Sequence, residues 1–178
     1  MTVKILIVDD HEVVRQGIRS IIERSRPDWK ICGEESNGKD AIDAVASLDP
    51  DVVILDVTMP VMSGLEAAGH ISRRGHRTRI LIFTMHESNR LIDDIREVGA
   101  HGYVQKSQAG RDLVRALDTL LAGGSFFGSP TAAQSQTAPA TDKPASKSDP
   151  SLRTALDVFI HLHCPRLLEA WPLSTSTV

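Results

Sequence analysis

Five times along this chain a short β-branched apolar run alternates with a longer stretch of helical periodicity. The runs at 4–8, 30–33, 52–55, 79–83 and 102–104 read as strands. Several are apolar throughout, as strands covered on both faces must be. Between them, Val13, Val14, Ile18, Ile21 and Ile22 form one stripe along 11–26. Ala41, Ile42, Val45, Ala46 and Leu48 form another before the stop at Asp49-Pro50. Residues 65–73, 88–98 and 110–122 supply three more helices, and Gly99 and Gly123-Gly124 stand where helix C-caps belong. Repeats in this order predict a doubly wound α/β domain over residues 1–124. Its five-stranded parallel sheet carries right-handed crossovers and helices on both faces.

The remainder has a different character. Residues 125–150 are dominated by Ala, Ser, Thr, Pro and Gln, with almost no bulky apolar side chain after Phe127. Such a segment cannot bury enough surface to offset its ordering entropy, and it reads as a disordered, flexible linker. In 151–178 apolar residues return, with Leu152, Leu156, Phe159, Ile160, Leu167 and Leu168 approximating a helical stripe that Pro165 interrupts and Pro172 ends. A tail of that length forms one short helix at most and no core of its own.

Composition narrows the function classes. Twenty Lys and Arg against 23 Asp and Glu leave a formal charge of -3, which gives no general attraction to DNA or to an anionic membrane. No uninterrupted apolar stretch approaches the roughly 18 residues of a membrane span. Cys32 and Cys164 make neither a disulfide framework nor a zinc motif, so they read as reduced thiols of a cytoplasmic protein. His161-Leu162-His163-Cys164 lacks a fourth ligand and reads as a chance cluster.

In parallel α/β sheets the chemistry collects just beyond the C-terminal strand ends. Here those ends carry Asp9-Asp10, Asp56, Thr84 and Lys106. Taken singly, each has an ordinary reading. Asp9 and Asp10 could cap the next helix, Thr84 could be a strand-end hydroxyl, and Lys106 could be a solvated side chain. Taken together, three carboxylates on one edge repel one another unless a cation neutralises them. Mg²⁺ suits such a set, held by few carboxylates and several waters. A metal beside a free aspartate suits phosphoryl transfer, with Asp56 as nucleophile, Lys106 on a phosphoryl oxygen and the Thr84 hydroxyl on another.

The segments Ile5-Leu6-Ile7-Val8-Asp9-Asp10, Val53-Ile54-Leu55-Asp56-Val57-Thr58-Met59-Pro60, Ile82-Phe83-Thr84 and Gly102-Tyr103-Val104-Gln105-Lys106 resemble the CheY-like receiver domain of bacterial two-component response regulators. Asp10-His11-Glu12 and Gly123-Gly124-Ser125-Phe126-Phe127 look like its NarL/FixJ, or LuxR-type, branch. The resemblance covers residues 3–124 and implies a flavodoxin-like strand order 2-1-3-4-5. It implies Asp56 as phospho-acceptor from a sensor histidine kinase, and Mg²⁺ held by Asp10, Asp56 and the Thr58 backbone carbonyl, with Asp9 acting through water. Thr84 and Tyr103 match the switch pair, whose hydroxyl moves to the phosphate while the ring turns inward. Lys106 matches the phosphate-binding lysine. Ser107 follows it where many receivers have a cis proline, which implies a trans link here.

The implied output is a changed protein-interaction surface, either for a downstream partner or for a homodimer through the fourth and fifth helices. Such a protein catalyses only its own phosphorylation and dephosphorylation and is not an enzyme for a free metabolite. LuxR-type relatives end in a helix-turn-helix of roughly 60 residues. The 28 residues after Pro150 contain no turn glycine or basic recognition helix, so direct DNA binding is not expected. The alternative is a truncated or frame-shifted remnant of a DNA-binding regulator. A dehalogenase-type phosphatase would need a second acid where Thr58 stands, and a flavin module would need a phosphate loop where Asp9-Asp10-His11-Glu12 stands.

Overall fold

The computed structural model describes residues 2–127, apart from His76 and Glu87. The linker beyond Phe127 and the tail helix expected in 151–178 therefore lie outside the described residues. The elements run β1 (Lys4–Val8), α1 (Glu12–Ser25), β2 (Lys30–Glu35), α2 (Gly38–Leu48), β3 (Val52–Leu55), α3 (Gly64–Arg73), β4 (Arg79–Thr84), α4 (Asn89–Glu97), β5 (Gly102–Gln105), α5 (Ala109–Leu121) and β6 (Phe126–Phe127). A single 3₁₀ turn at Lys106–Gln108 joins β5 to α5.

All strand pairings are parallel, and the order is β2-β1-β3-β4-β5-β6. The expected order is thus present with one strand added. Apolar runs without alternation place β3 wholly in the interior, and β1 after Lys4. Their side chains divide between two helical layers. Leu6, Val8, Val53, Leu55, Ile80 and Ile82 pack with Ala41 and Val45 of α2, Ala67, Ala68 and Ile71 of α3 and Ile95 of α4. Helix α5 packs against β4 and β5 and also contacts α1. There Ile18 and Ile22 of α1 are buried, as are Leu113, Leu117 and Leu120 of α5. Alanines at α2 and α3 let those helices approach each other and the sheet closely.

Helix boundaries follow their caps. Asn37 accepts the Asp40 N–H at the start of α2, and Ser63 with Glu66 forms a capping box at the start of α3. Helix α2 ends at Asp49 in the left-handed conformation, φ 47°, ahead of Pro50.

The folded unit extends past residue 124, where the helical and strand periodicity of the sequence ends. Phe126 and Phe127 continue the sheet beyond α5, paired with Gly102 and Tyr103. The Phe126 N–H donates to the His101 carbonyl at 3.1 Å. Close approach is possible because residue 102 is glycine, where a Cβ would sit 2.7 Å from the Phe126 carbonyl oxygen. The Arg96 guanidinium of α4 lies 4.6 Å from the centre of the Phe127 ring. Two residues cannot display a strand period, so the sequence carries no signal for this strand. Strands β2, β4 and β5 also run one or two residues past their expected ends.

Candidate functional site

Strand register assembles the site. Val8 of β1 pairs with Leu55 of β3, and Leu55 pairs with Ile82 of β4. The next residues, Asp9 and Asp56, therefore emerge side by side at the sheet's C-terminal edge. The Asp56 N–H still donates to the Val8 carbonyl at 2.9 Å, so the ladder runs up to the acceptor itself. Thr84 closes β4 opposite Gln105, and Lys106 follows at once.

Asp9, Asp56, Thr84 and Lys106 are all buried, at 1%, 4%, 1% and 5% exposure. The Lys106 Nζ lies 2.6 Å from Asp9 Oδ2 and 3.2 Å from Asp56 Oδ2. Asp56 Oδ1 accepts the Val57 N–H at 2.8 Å. Burial pushes the Asp56 carboxyl above the usual carboxylate range, with the nearby Asp9 charge adding to this and Lys106 opposing it.

Asp9 Oδ1 accepts the His11 N–H at 2.9 Å. Asp9 Oδ2 is buried and takes no aligned hydrogen bond, although the Lys106 ammonium is 2.6 Å away. The contact is a charge pair. Asp10 is exposed, and its carboxylate lies 2.7 Å from His11 Nδ1. Asp9, Asp10 and His11 offer ligand atoms within 4.8 Å of one another. The paired carboxylates of Asp9 and Asp10, with Asp56 beside Asp9 across Lys106, suit a hard divalent cation such as Mg²⁺. The imidazole suits softer metals, so His11 is a neighbour rather than a ligand in such a set. Helix α1 is capped at His11 with no side-chain cap bond, so Asp9 and Asp10 are not its cap residues.

Thr84 Oγ1 accepts the His86 N–H at 3.3 Å, and the Tyr103 hydroxyl donates to the His86 carbonyl at 3.0 Å. The Tyr103 side chain is buried. Thr84 and Tyr103 thus hold one residue of the β4–α4 loop from both sides of its backbone. Thr58 lies exposed in the β3–α3 loop, and Ser107 follows Lys106 without a cis bond.

Two contributors escaped the sequence reading. Gly64 opens α3 so close to the acceptor that a Cβ there would sit 1.8 Å from the Asp56 carbonyl oxygen. Arg15 of α1 donates from Nη1 to the Asp9 carbonyl at 2.7 Å, although its position reads as the polar face of a helix.

Fold and site together define a class of α/β domain whose strand-end acids flank a buried aspartate bridged to a lysine. Residues 5–118 match the response regulator receiver domain. The chain belongs to that family. It is 40% identical over 120 residues to the transcriptional regulatory protein YdfI of Bacillus subtilis, which covers 67% of this chain and 55% of that protein. It is 35% identical over 181 residues to the response regulator UvrY of Escherichia coli, which covers 99% of this chain and 83% of the relative. The chain therefore spans just over half of YdfI and most of UvrY.

Among solved structures, a LuxR-family two-component response regulator from Aurantimonas sp. SI85-9A1 superposes with a TM-score of 0.67 at 40% identity, covering 71% of this chain and 89% of that one. The isolated receiver domain of RcsB from Salmonella enterica serovar Typhimurium, solved with the phosphomimetic BeF₃⁻, gives 0.66 at 27% identity, covering 72% and 94%. These likenesses support two-component signalling and do not favour the remnant alternative. The family is one of signalling proteins rather than classical enzymes. Among the described residues no helix is long and apolar enough to cross a membrane.

Proposed function

We propose that Asp56 accepts a phosphoryl group from the phosphohistidine of a sensor histidine kinase, and that the chain relays this change to a protein-interaction surface. The observation that carries the reading is the buried Asp9–Lys106–Asp56 bridge at the sheet edge. In the transfer an Asp56 carboxylate oxygen attacks phosphorus as the P–N bond breaks, and the electron pair leaves with the imidazole nitrogen, which takes up a proton. Lys106 pairs with a phosphoryl oxygen as the transfer proceeds. Asp10, Asp56 and the Thr58 carbonyl would hold Mg²⁺, with Asp9 acting through water, and the ion would supply charge neutralisation at the transferring group. Thr84 would turn its hydroxyl from the His86 N–H toward the phosphoryl group. That exchange would release one of the two bonds on His86 and let the β4–α4 loop move.

The output surface in this reading lies on α4 and α5 and meets a downstream protein or a second copy of the chain. The receiver would be followed by a linker through 150 and the tail at 151–178. The setting we infer is cytoplasmic, where such kinases present their phosphohistidine. The chain would act on itself only, with no turnover of a free substrate. A direct test is ¹⁹F NMR with BeF₃⁻ and Mg²⁺. Bound fluoride signals that need Mg²⁺ and vanish in Asp56→Asn support the reading, and their persistence in Asp56→Asn contradicts it.

A further inference from the structure

Helix α1 turns one long side chain back over its own N-terminus. Arg15, three-quarters or more shielded from solvent, donates from Nη1 to the carbonyl of Asp9 at 2.7 Å and from Nε to Glu34 Oε2 at 3.1 Å. Glu34 lies on β2, and its other oxygen, Oε1, is held by Arg19. Burial alone would raise the Glu34 carboxyl, yet the hydrogen bonds from Arg19 and Arg15 hold it below the usual range, so it is ionised. The Asp9 N–H meanwhile donates to the Glu35 carbonyl at 3.1 Å. Asp9 is thus gripped at both ends of its backbone, from β2 directly and from β2 through Arg15.

The Asp9 carbonyl belongs to the peptide that links Asp9 to Asp10. Holding that oxygen restrains the peptide plane, and with it the Cα positions from which the two carboxylates leave the chain. We propose that Arg15, braced by Glu34, is the positioning residue that orders Asp9 and Asp10 for the divalent cation. The inference rests on the reading of that acidic pair as the Mg²⁺ site. Glu34 has a second part in it. A bare guanidinium beside the acids would repel a dication, and the Glu34 charge offsets that repulsion while the hydrogen bond to Asp9 is kept. Partners of this kind behind a metal ligand typically set metal affinity by ~10- to 100-fold.

The test is calorimetric titration of the full chain with Mg²⁺, comparing wild type with Arg15→Gln, Arg15→Lys, Glu34→Gln and the Arg15→Gln/Glu34→Gln double variant. Thermal melts without metal report folding separately. The expected result is roughly tenfold weaker Mg²⁺ binding in Arg15→Gln, with part of it restored in Arg15→Lys. Glu34→Gln should also weaken binding, and the double variant should be no worse than Arg15→Gln because the two side chains act through one contact. Unchanged affinity in variants that melt lower would show a structural brace only and overturns the proposal. Tighter binding in Arg15→Gln would show that Arg15 acts by plain charge repulsion and also overturns it. Wild type that fails to bind Mg²⁺ overturns the reading of the site itself, and this inference with it.

Discussion

The ammonium of Lys106 sits between two buried carboxylates, 2.6 Å from Asp9 and 3.2 Å from Asp56. Without it the sheet edge would carry two adjacent, desolvated negative charges. Removing one partner from a buried ion pair is costly because the other is left uncompensated. Lys106→Met should therefore lower stability by about 3 kcal/mol at neutral pH without divalent metal. Mg²⁺ should narrow that loss, since a second cation then offsets the acids. Denaturant unfolding with and without Mg²⁺ measures both effects.

Gly64 joins fold to site through a steric constraint rather than through backbone freedom. A methyl group there would fall 1.8 Å from the Asp56 carbonyl oxygen, far inside contact distance, so the β3–α3 loop must move. Gly64→Ala should cost about 3 kcal/mol, the upper part of the overpacking range. Because the displaced atom belongs to Asp56, BeF₃⁻ binding should weaken more than stability alone explains. Measuring binding well below the melting temperature separates the two.

How much of this was legible in the sequence depended on the kind of signal. Asp9, Asp10, Asp56, Thr84 and Lys106 were readable because each follows a recognisable strand, and parallel topology then brings those ends together. The helices were readable from their stripes and from Asn37, Ser63 and Pro50 at their ends. Gly64 was not, because its constraint is a contact with a residue on another element. Arg15 was not, because an arginine on a polar helix face has the same local pattern whether it meets solvent or a carbonyl. Phe126 and Phe127 were not, because a two-residue strand has no period and owes its place to the gap above Gly102.

Tyr103 and Thr84 share His86 through the Tyr103 hydroxyl on its carbonyl and the Thr84 hydroxyl on its N–H. Tyr103→Phe keeps the ring and removes that one donor. Stability should fall by about 1 kcal/mol, and the amides of Met85 and His86 should exchange with solvent faster. Acceptance of the phosphoryl group should persist, because the hydroxyl is not placed at Asp56. Hydrogen exchange with mass detection reads the loop directly.

His101 introduces a pH dependence away from the site. Its Nδ1 accepts the Ile80 N–H at 3.1 Å, which requires the unprotonated ring. Burial, and secondarily the Arg79 charge, lowers its pKa below the ordinary value of 6.5. The unfolded chain then binds the proton more readily than the folded one, so stability falls as pH falls. The contribution should be complete above about pH 6.5 and lost as pH drops through the lower folded value. His101→Asn, which keeps an acceptor without a titration, should flatten that slope in melts taken across the range.

Whether Asp56 is the acceptor is decided by intact-mass analysis after incubation with acetyl phosphate and Mg²⁺. Wild type should gain one phosphoryl group, dependent on Mg²⁺ and absent in Asp56→Asn. The same gain in Asp56→Asn, or none in folded wild type that binds Mg²⁺, would contradict that role.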